Sequence, residues 1–202
     1  NGEKMFITNT GFADVGTVFA KIDGEKFTGF LVELKTPGVS TGAEEHKMGI
    51  HGSSTRSLIF EDAKIPCRYL LGEENQGFYY IMRNFQGERL FASVSTIAGA
   101  QLNLEKTIEY CRERKAFGRP IVGFQVWRHR MAEHLAAIEA ARWLTYRACD
   151  LYDRRQVAVR EISMAKLFAC ELAQRVAYDC MQLHGGMGYV LESDVARAWR
   201  DL

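Results

Sequence analysis

Proline, paired cysteines and long apolar runs are what this sequence has least of. Its three prolines are Pro37, Pro66 and Pro120, and none stands between Gln76 and Pro120, so nothing there forbids long helices. The five cysteines, Cys67, Cys111, Cys149, Cys170 and Cys180, include no C-x-x-C pair, and four fall within helical patterns where a thiol acts as a small core residue. That spacing excludes a disulfide framework and a zinc site, and no metal is expected. It points to a reducing compartment. No apolar run is long enough to span a bilayer, and the N-terminus is not signal-like. Charge of one sign is also missing. A net charge of +1 gives no broad attraction to nucleic acid or a membrane surface. The chain opens on Asn1-Gly2 without an initiator methionine and closes on Trp199-Arg200-Asp201-Leu202 without a helix stop, so it reads as a piece of a longer chain.

What is present is an ordinary globular composition, with 47% hydrophobic and 25% charged residues over 202 positions. This length suits one large or two small domains, each with a real core. Residues 4–10, 15–22 and 27–34 are rich in β-branched and aromatic side chains and predict strands. Gly11, Asp23-Gly24 and Pro37-Gly38 separate them, and Asp23-Gly24-Glu25-Lys26 reads as a hairpin. Residues 56–61 predict another strand, limited by Ile65-Pro66. His51-Gly52-Ser53-Ser54-Thr55 is a small-residue loop that either turns or approaches a ligand.

After Gln76 the period changes. Residues 78–85 predict a short lead-in and residues 87–114 a long helix, with Leu90, Val94, Ile97, Gln101, Leu104, Ile108 and Cys111 on one stripe. Residues 115–120 predict a break. A second helix runs over 124–154 with Trp127, Met131, His134, Ile138, Ala141 and Thr145 facing the core, His134 as a packed histidine. A third covers 159–184 with Ile162, Ala165, Ala169, Leu172 and Val176 inward, stopped by Gly185-Gly186. The expected fold class is α+β: an antiparallel β-domain portion over residues 1–75, then an antiparallel helical bundle over residues 76–202.

Four stretches exceed what packing requires. Gln86-Gly87-Glu88-Arg89 opens the predicted long helix, where a carboxylate is favoured by the helix dipole and points at the junction of the two parts. A plain helix-start acid explains it as well. Arg112 to Arg119 sets fixed positive charge beside Phe117 and Gly118, suited to a diphosphate or equally to a solvated helix end. Gln182-Leu183-His184-Gly185-Gly186-Met187-Gly188-Tyr189 offers uncovered backbone amides for an anion, or a C-cap and tight turn. Phe6-Ile7-Thr8-Asn9 places a hydroxyl on a strand where a heterocycle could meet it.

Together these stretches resemble the acyl-CoA dehydrogenase family of flavoproteins. M-F-I-T-N is similar to that family's W-I-T-N strand, and H-K-M-G-I-H-G-S-S-T with F-E-D-A-K-I-P to its middle β-domain. R-K-A-F-G-R-P-I, then Phe124-Gln125, and Q-L-H-G-G-M-G-Y ending near Arg200-Asp201, are similar to its C-terminal helical domain. E-N-Q-G-F-Y-Y-I-M and A-Y-D-C-M-Q-L-H-G-G look closest to the long-chain branch. The resemblance implies FAD as cofactor, with Phe6, Ile7 and Thr8 against the flavin ring. Phe6 stands where the family usually has tryptophan, which keeps stacking and loses an indole donor. It further implies that Arg114, Phe117, Phe124 and Gln125 hold FAD across a subunit interface, as do Gln182, Gly185 and Gly186. A homodimer or homotetramer with shared sites follows. Gln86, Gly87 and Arg89 would face the thioester of the acyl-CoA substrate.

The same resemblance implies α,β-dehydrogenation to a trans-2-enoyl-CoA in fatty-acid or branched-chain acyl-CoA catabolism. A glutamate takes the α-proton, a β-hydride goes to flavin N5, and an electron-transfer flavoprotein accepts the electrons. Glu88 stands where the long-chain and isovaleryl branches carry the base. Other members place it beyond the R-D motif, where this sequence stops. Such a base is expected in a dry pocket at the seam between β-domain and bundle. Two alternatives share the scaffold or the sequence: an acyl-CoA oxidase or flavin monooxygenase, and a non-catalytic fragment acting in assembly.

Overall fold

The structure, a computed structural model, describes residues 1–202. The first six strands are β1 (Gly2–Thr8), β2 (Val15–Ile22), β3 (Lys26–Glu33), β4 (Val39–Thr41), β5 (Thr55–Phe60) and β6 (Leu70–Leu71). They form two antiparallel three-stranded sheets, ordered β1-β5-β4 and β2-β3-β6. Val18 and Val32 from one sheet and Leu58 from the other are buried in one cluster, joined by Ile7, Phe30, Val39 and Phe60. The β2–β3 hairpin turns at Asp23 (φ 52°) and Gly24 (φ 77°), as the sequence predicts.

Three details differ. Strand β1 stops at Thr8 rather than residue 10, because Asn9 turns the chain (φ 67°) and its carbonyl accepts the Phe12 and Ala13 amides. Strands β4 and β6, three and two residues long, are too short to carry a periodic signal. The small-residue loop 51–55 serves a clamp. The Glu44 carboxylate accepts the Thr55 amide at 2.9 Å, Ser54 Oγ at 2.8 Å and Arg56 Nε at 2.8 Å.

The helical part contains α1 (Gly77–Glu113), the short strands β7 (Lys115–Ala116) and β8 (Arg119–Pro120), then α2 (Gln125–Asp153), α3 (Val159–Leu183) and α4 (Asp194–Asp201). Leu90, in the first half of α1, packs with Ala148 near the end of α2 and Ile162 at the start of α3. Cys111 at the other end of α1 shares a core with Met131 of α2 and Cys180 of α3. The three long helices therefore run alternately up and down. The Cys111 and Cys180 thiols lie wholly inside, and burial pushes each pKa up to about 11. No helix is long and apolar enough to cross a membrane.

Helix α1 corrects the sequence reading twice. The predicted lead-in and long helix are one continuous helix, so Glu88 lies about three turns inside α1 and the dipole argument for it falls. Gly87 does not start the helix; a β-carbon there would stand 3.1 Å from Tyr152 Oη, and glycine lets the last turn of α2 come close. The buried stripe is also offset. Val94 is 45% exposed, whereas Ser93, Ala100 and Thr107 are buried between Leu90, Ile97, Leu104 and Cys111. Small side chains at alternate positions give a three-four repeat that lets neighbouring helices approach.

By its internal contacts the chain divides into two units, residues 1–84 and residues 85–202.

Candidate functional site

In the β unit the predicted stretch sits on a bulge. Lys4 pairs with Leu58 and Ile7 with Arg56, so Met5 and Phe6 oppose Ser57 alone. Phe6 takes φ 57°, which bulky residues rarely adopt, and its ring is 66% exposed. Ile7 turns inward to the core while Thr8 is exposed. The strand thus anchors through Ile7 and offers the Phe6 ring and the Thr8 hydroxyl outward. Backbone strain held at an exposed aromatic marks a functional position more often than a packing one.

In the helical unit, the predicted break after α1 is a two-residue hairpin. Ala116 pairs with Arg119, and the turn residues Phe117 (φ 50°) and Gly118 (φ 80°) both have positive φ. That is a type I′ turn, whose first position ordinarily favours asparagine. Phenylalanine stands there instead, strained and 98% exposed. The Arg119 guanidinium lies 4.0 Å over the Phe124 ring, and Phe117 meets the same ring edge-on at 6.4 Å. Arg112, Arg114, Lys115, Arg119 and Gln125 are exposed around them. Arginine forks, exposed rings and a glycine turn suit a dinucleotide's diphosphate and adenine.

At the end of α3 the glycine stretch forms a 3₁₀ turn over Gly185–Tyr189 rather than a row of uncovered amides. Gly185 takes φ 56°, and β-carbons built on Gly185 or Gly186 meet nothing within 4 Å. Gly188 is held tightly, since a β-carbon there would stand 2.2 Å from the Met181 carbonyl oxygen. Gln182, Gly185 and Gly186 are exposed. This open glycine surface can be approached closely by a phosphate or a sugar.

Glu88 is exposed on α1, two residues from the buried Leu90 and so on the opposite side of the helix. The expected dry pocket is not built by the residues of its own unit. Gln86 and Gly87 are half-buried, and Arg89 lies 5.5 Å over the Phe85 ring.

Two groups escaped the sequence reading. The Tyr110 and His184 rings stack at 4.2 Å and 16°. Asp179, buried on α3, accepts His134 Nε2 at 2.7 Å and Arg130 Nη1 at 3.1 Å. His134 is therefore a hydrogen-bond partner of Asp179 as well as a packed ring. Neither arrangement has a local signal, because each joins helices far apart in sequence.

Two family models match. Residues 1–63 match the acyl-CoA dehydrogenase middle domain, and residues 75–202 match the acyl-CoA dehydrogenase C-terminal domain. The chain belongs to the acyl-CoA dehydrogenase family. Among its relatives, subunit CarC of the caffeyl-CoA reductase-Etf complex of Acetobacterium woodii is 40% identical over 100% of this chain and 54% of its own length. The human mitochondrial short-chain specific acyl-CoA dehydrogenase is also 40% identical, over 100% of this chain and 50% of its own. The likeness thus extends beyond the long-chain branch. The crystal structure of an acyl-CoA dehydrogenase from Geobacillus kaustophilus superposes with a TM-score of 0.97 at 39% identity, covering 100% of this chain and 55% of that one. The chain spans about half the length of the relatives it matches.

Proposed function

We propose that the protein carrying this chain dehydrogenates a saturated acyl-CoA thioester between its α and β carbons, giving a trans-2-enoyl-CoA in fatty-acid or branched-chain acyl-CoA catabolism. What supports the reading most is the match of residues 75–202 to the family's C-terminal domain, within which every outward-facing feature of the helical unit falls.

The residues present fit FAD. The strained, exposed Phe117, the arginines beside it and the open surface at Gly185 and Gly186 have the chemistry of a dinucleotide cradle. Arg114, Phe117, Phe124 and Gln125 would hold its diphosphate end, with Gln182, Gly185 and Gly186. Phe6 and Thr8 would lie along the flavin ring, Phe6 by stacking and Thr8 by its hydroxyl, while Ile7, whose side chain packs in the β core, could offer only its backbone. FAD, when bound, supplies the acceptor for the two electrons that leave with the β-hydrogen.

Glu88 takes the α-proton. Its exposed position on α1 lets a thioester approach it. Gln86, Gly87 and Arg89 orient the thioester end. Hydrogen bonds to the acyl carbonyl strengthen as enolate charge develops. An electron-transfer flavoprotein takes the electrons onward, in keeping with the Etf complex named for the Acetobacterium relative. The enzyme acts as a homodimer or homotetramer with shared sites.

Glu88→Gln tests the assignment. It should keep bound FAD and lower turnover by roughly 10²–10⁴-fold, the usual worth of a general base. Turnover near that of the unmodified enzyme, with FAD retained, moves the base to another residue.

A further inference from the structure

We propose that Tyr110 and His184 are a positioning pair for the dinucleotide, tying the hairpin that carries Arg114 and Phe117 to the glycine turn that carries Gln182, Gly185 and Gly186. The proposal rests on the functional reading above.

Each residue sits at the root of one loop. The Tyr110 carbonyl accepts the Arg114 amide at 2.9 Å, the last bond that continues α1. The Arg114 carbonyl in turn accepts the Ile121 amide at 2.9 Å and closes the base of the hairpin. His184 caps α3 immediately before Gly185 enters the left-handed region. Its Nδ1 lies 2.8 Å from the Cys180 carbonyl oxygen, which can only accept, so Nδ1 carries the proton and donates. That bond sets the plane of the imidazole, and the stack at 4.2 Å and 16° sets the Tyr110 ring against it.

Neither loop has a core of its own. The hairpin is two residues wide with an exposed tip, and the glycine turn has few side chains to pack. The turn is gripped at Gly188 against Met181, and the hairpin by Arg119 over Phe124. Those contacts order each loop within itself. The core shared by Cys111, Cys180 and Leu183 holds the two helix ends together, and the Tyr110–His184 stack extends that contact to the loop roots themselves, so it helps set how far Arg114 and Phe117 stand from Gly185 and Gly186. A ligand held by both loops feels that spacing; a ligand held by either alone does not. Cofactor affinity therefore reports the pair's role beyond its effect on folding.

The test is FAD affinity, measured by reconstituting the flavin-free protein that carries this chain and following flavin fluorescence. Removing the stack by His184→Ala or Tyr110→Leu should weaken FAD binding about tenfold, the scale expected for loss of one aromatic pair. The double variant should be little weaker than either single one, because both remove the same contact. Tyr110→Phe, which keeps both rings and the His184–Cys180 bond, should bind within about twofold of the unmodified protein. Equal affinity across all variants overturns the proposal, as does a loss in Tyr110→Phe as large as in Tyr110→Leu. If His184→Ala does not fold, Tyr110→Leu against Tyr110→Phe decides alone. An unmodified protein that takes up no FAD overturns the functional reading itself, whatever the variants do.

Discussion

His134 Nε2 stands 2.7 Å from Asp179 Oδ2, and this contact, with Arg130 Nη1 at 3.1 Å from Oδ1, fastens α2 to α3 through one carboxylate. The Asp179 side chain is 9% exposed and that of Arg130 50%. A buried carboxylate with two partners loses more on deletion than an exposed partner does, since its removal strands the buried imidazole. Asp179→Ala should cost about 3 kcal/mol in chemical denaturation and Arg130→Ala about 1 kcal/mol or less. Equal costs would contradict the asymmetry of burial.

Glu44 sets an acid limit on the β unit. The Thr55 amide, then the Arg56 guanidinium and the Ser54 hydroxyl, hold its pKa down at about 2 from an ordinary 4.5. A carboxylate depressed by folding stabilises the fold above its unfolded value and loses that contribution as pH falls through the folded value. The clamp should therefore act fully above pH 4.5 and weaken from there toward pH 2. A carboxyl carbon resonance titrating near 2, and a flatter acid dependence in Glu44→Gln, are expected. A midpoint near 4.5 would contradict the clamp.

Phe117 sets stability against binding. Asparagine tolerates positive φ better than phenylalanine does, and the ring at 98% exposure gives little packing in return. Phe117→Asn should raise thermal stability by an amount equivalent to about 1 kcal/mol and weaken FAD binding. Tighter FAD binding in this variant would remove Phe117 from the cofactor site.

Much of the fold is legible in the sequence, and the reasons are local. Val15–Ile22 and Lys26–Glu33 carry alternation and a turn of the right chemistry, and α3 carries five inward residues at helical spacing. Gly87 misled because glycine before a new apolar stripe reads as a helix start. Its actual cause, the nearness of Tyr152, belongs to another helix. The α1 stripe misled because Val94 outranks Ser93 in hydrophobicity while close packing prefers the smaller residue.

The candidate site divides the same way. Arg114, Phe117, Gln182, Gly185 and Gly186 form short motifs and were legible as such. The strain at Phe6 and Phe117 was not, because a positive φ on phenylalanine runs against every local preference. Where local preference is overridden at an exposed ring, the cause lies outside the chain's own packing. Tyr110–His184 and Asp179–His134 are set by how helices assemble, and no single segment encodes them.

Anaerobic titration of the flavin-loaded protein with a panel of saturated acyl-CoAs, followed by flavin absorbance, tests the central claim most directly. The account predicts bleaching of the oxidised flavin band by one chain-length class, with a trans-2-enoyl-CoA as product. A flavin band that no acyl-CoA bleaches would contradict dehydrogenation.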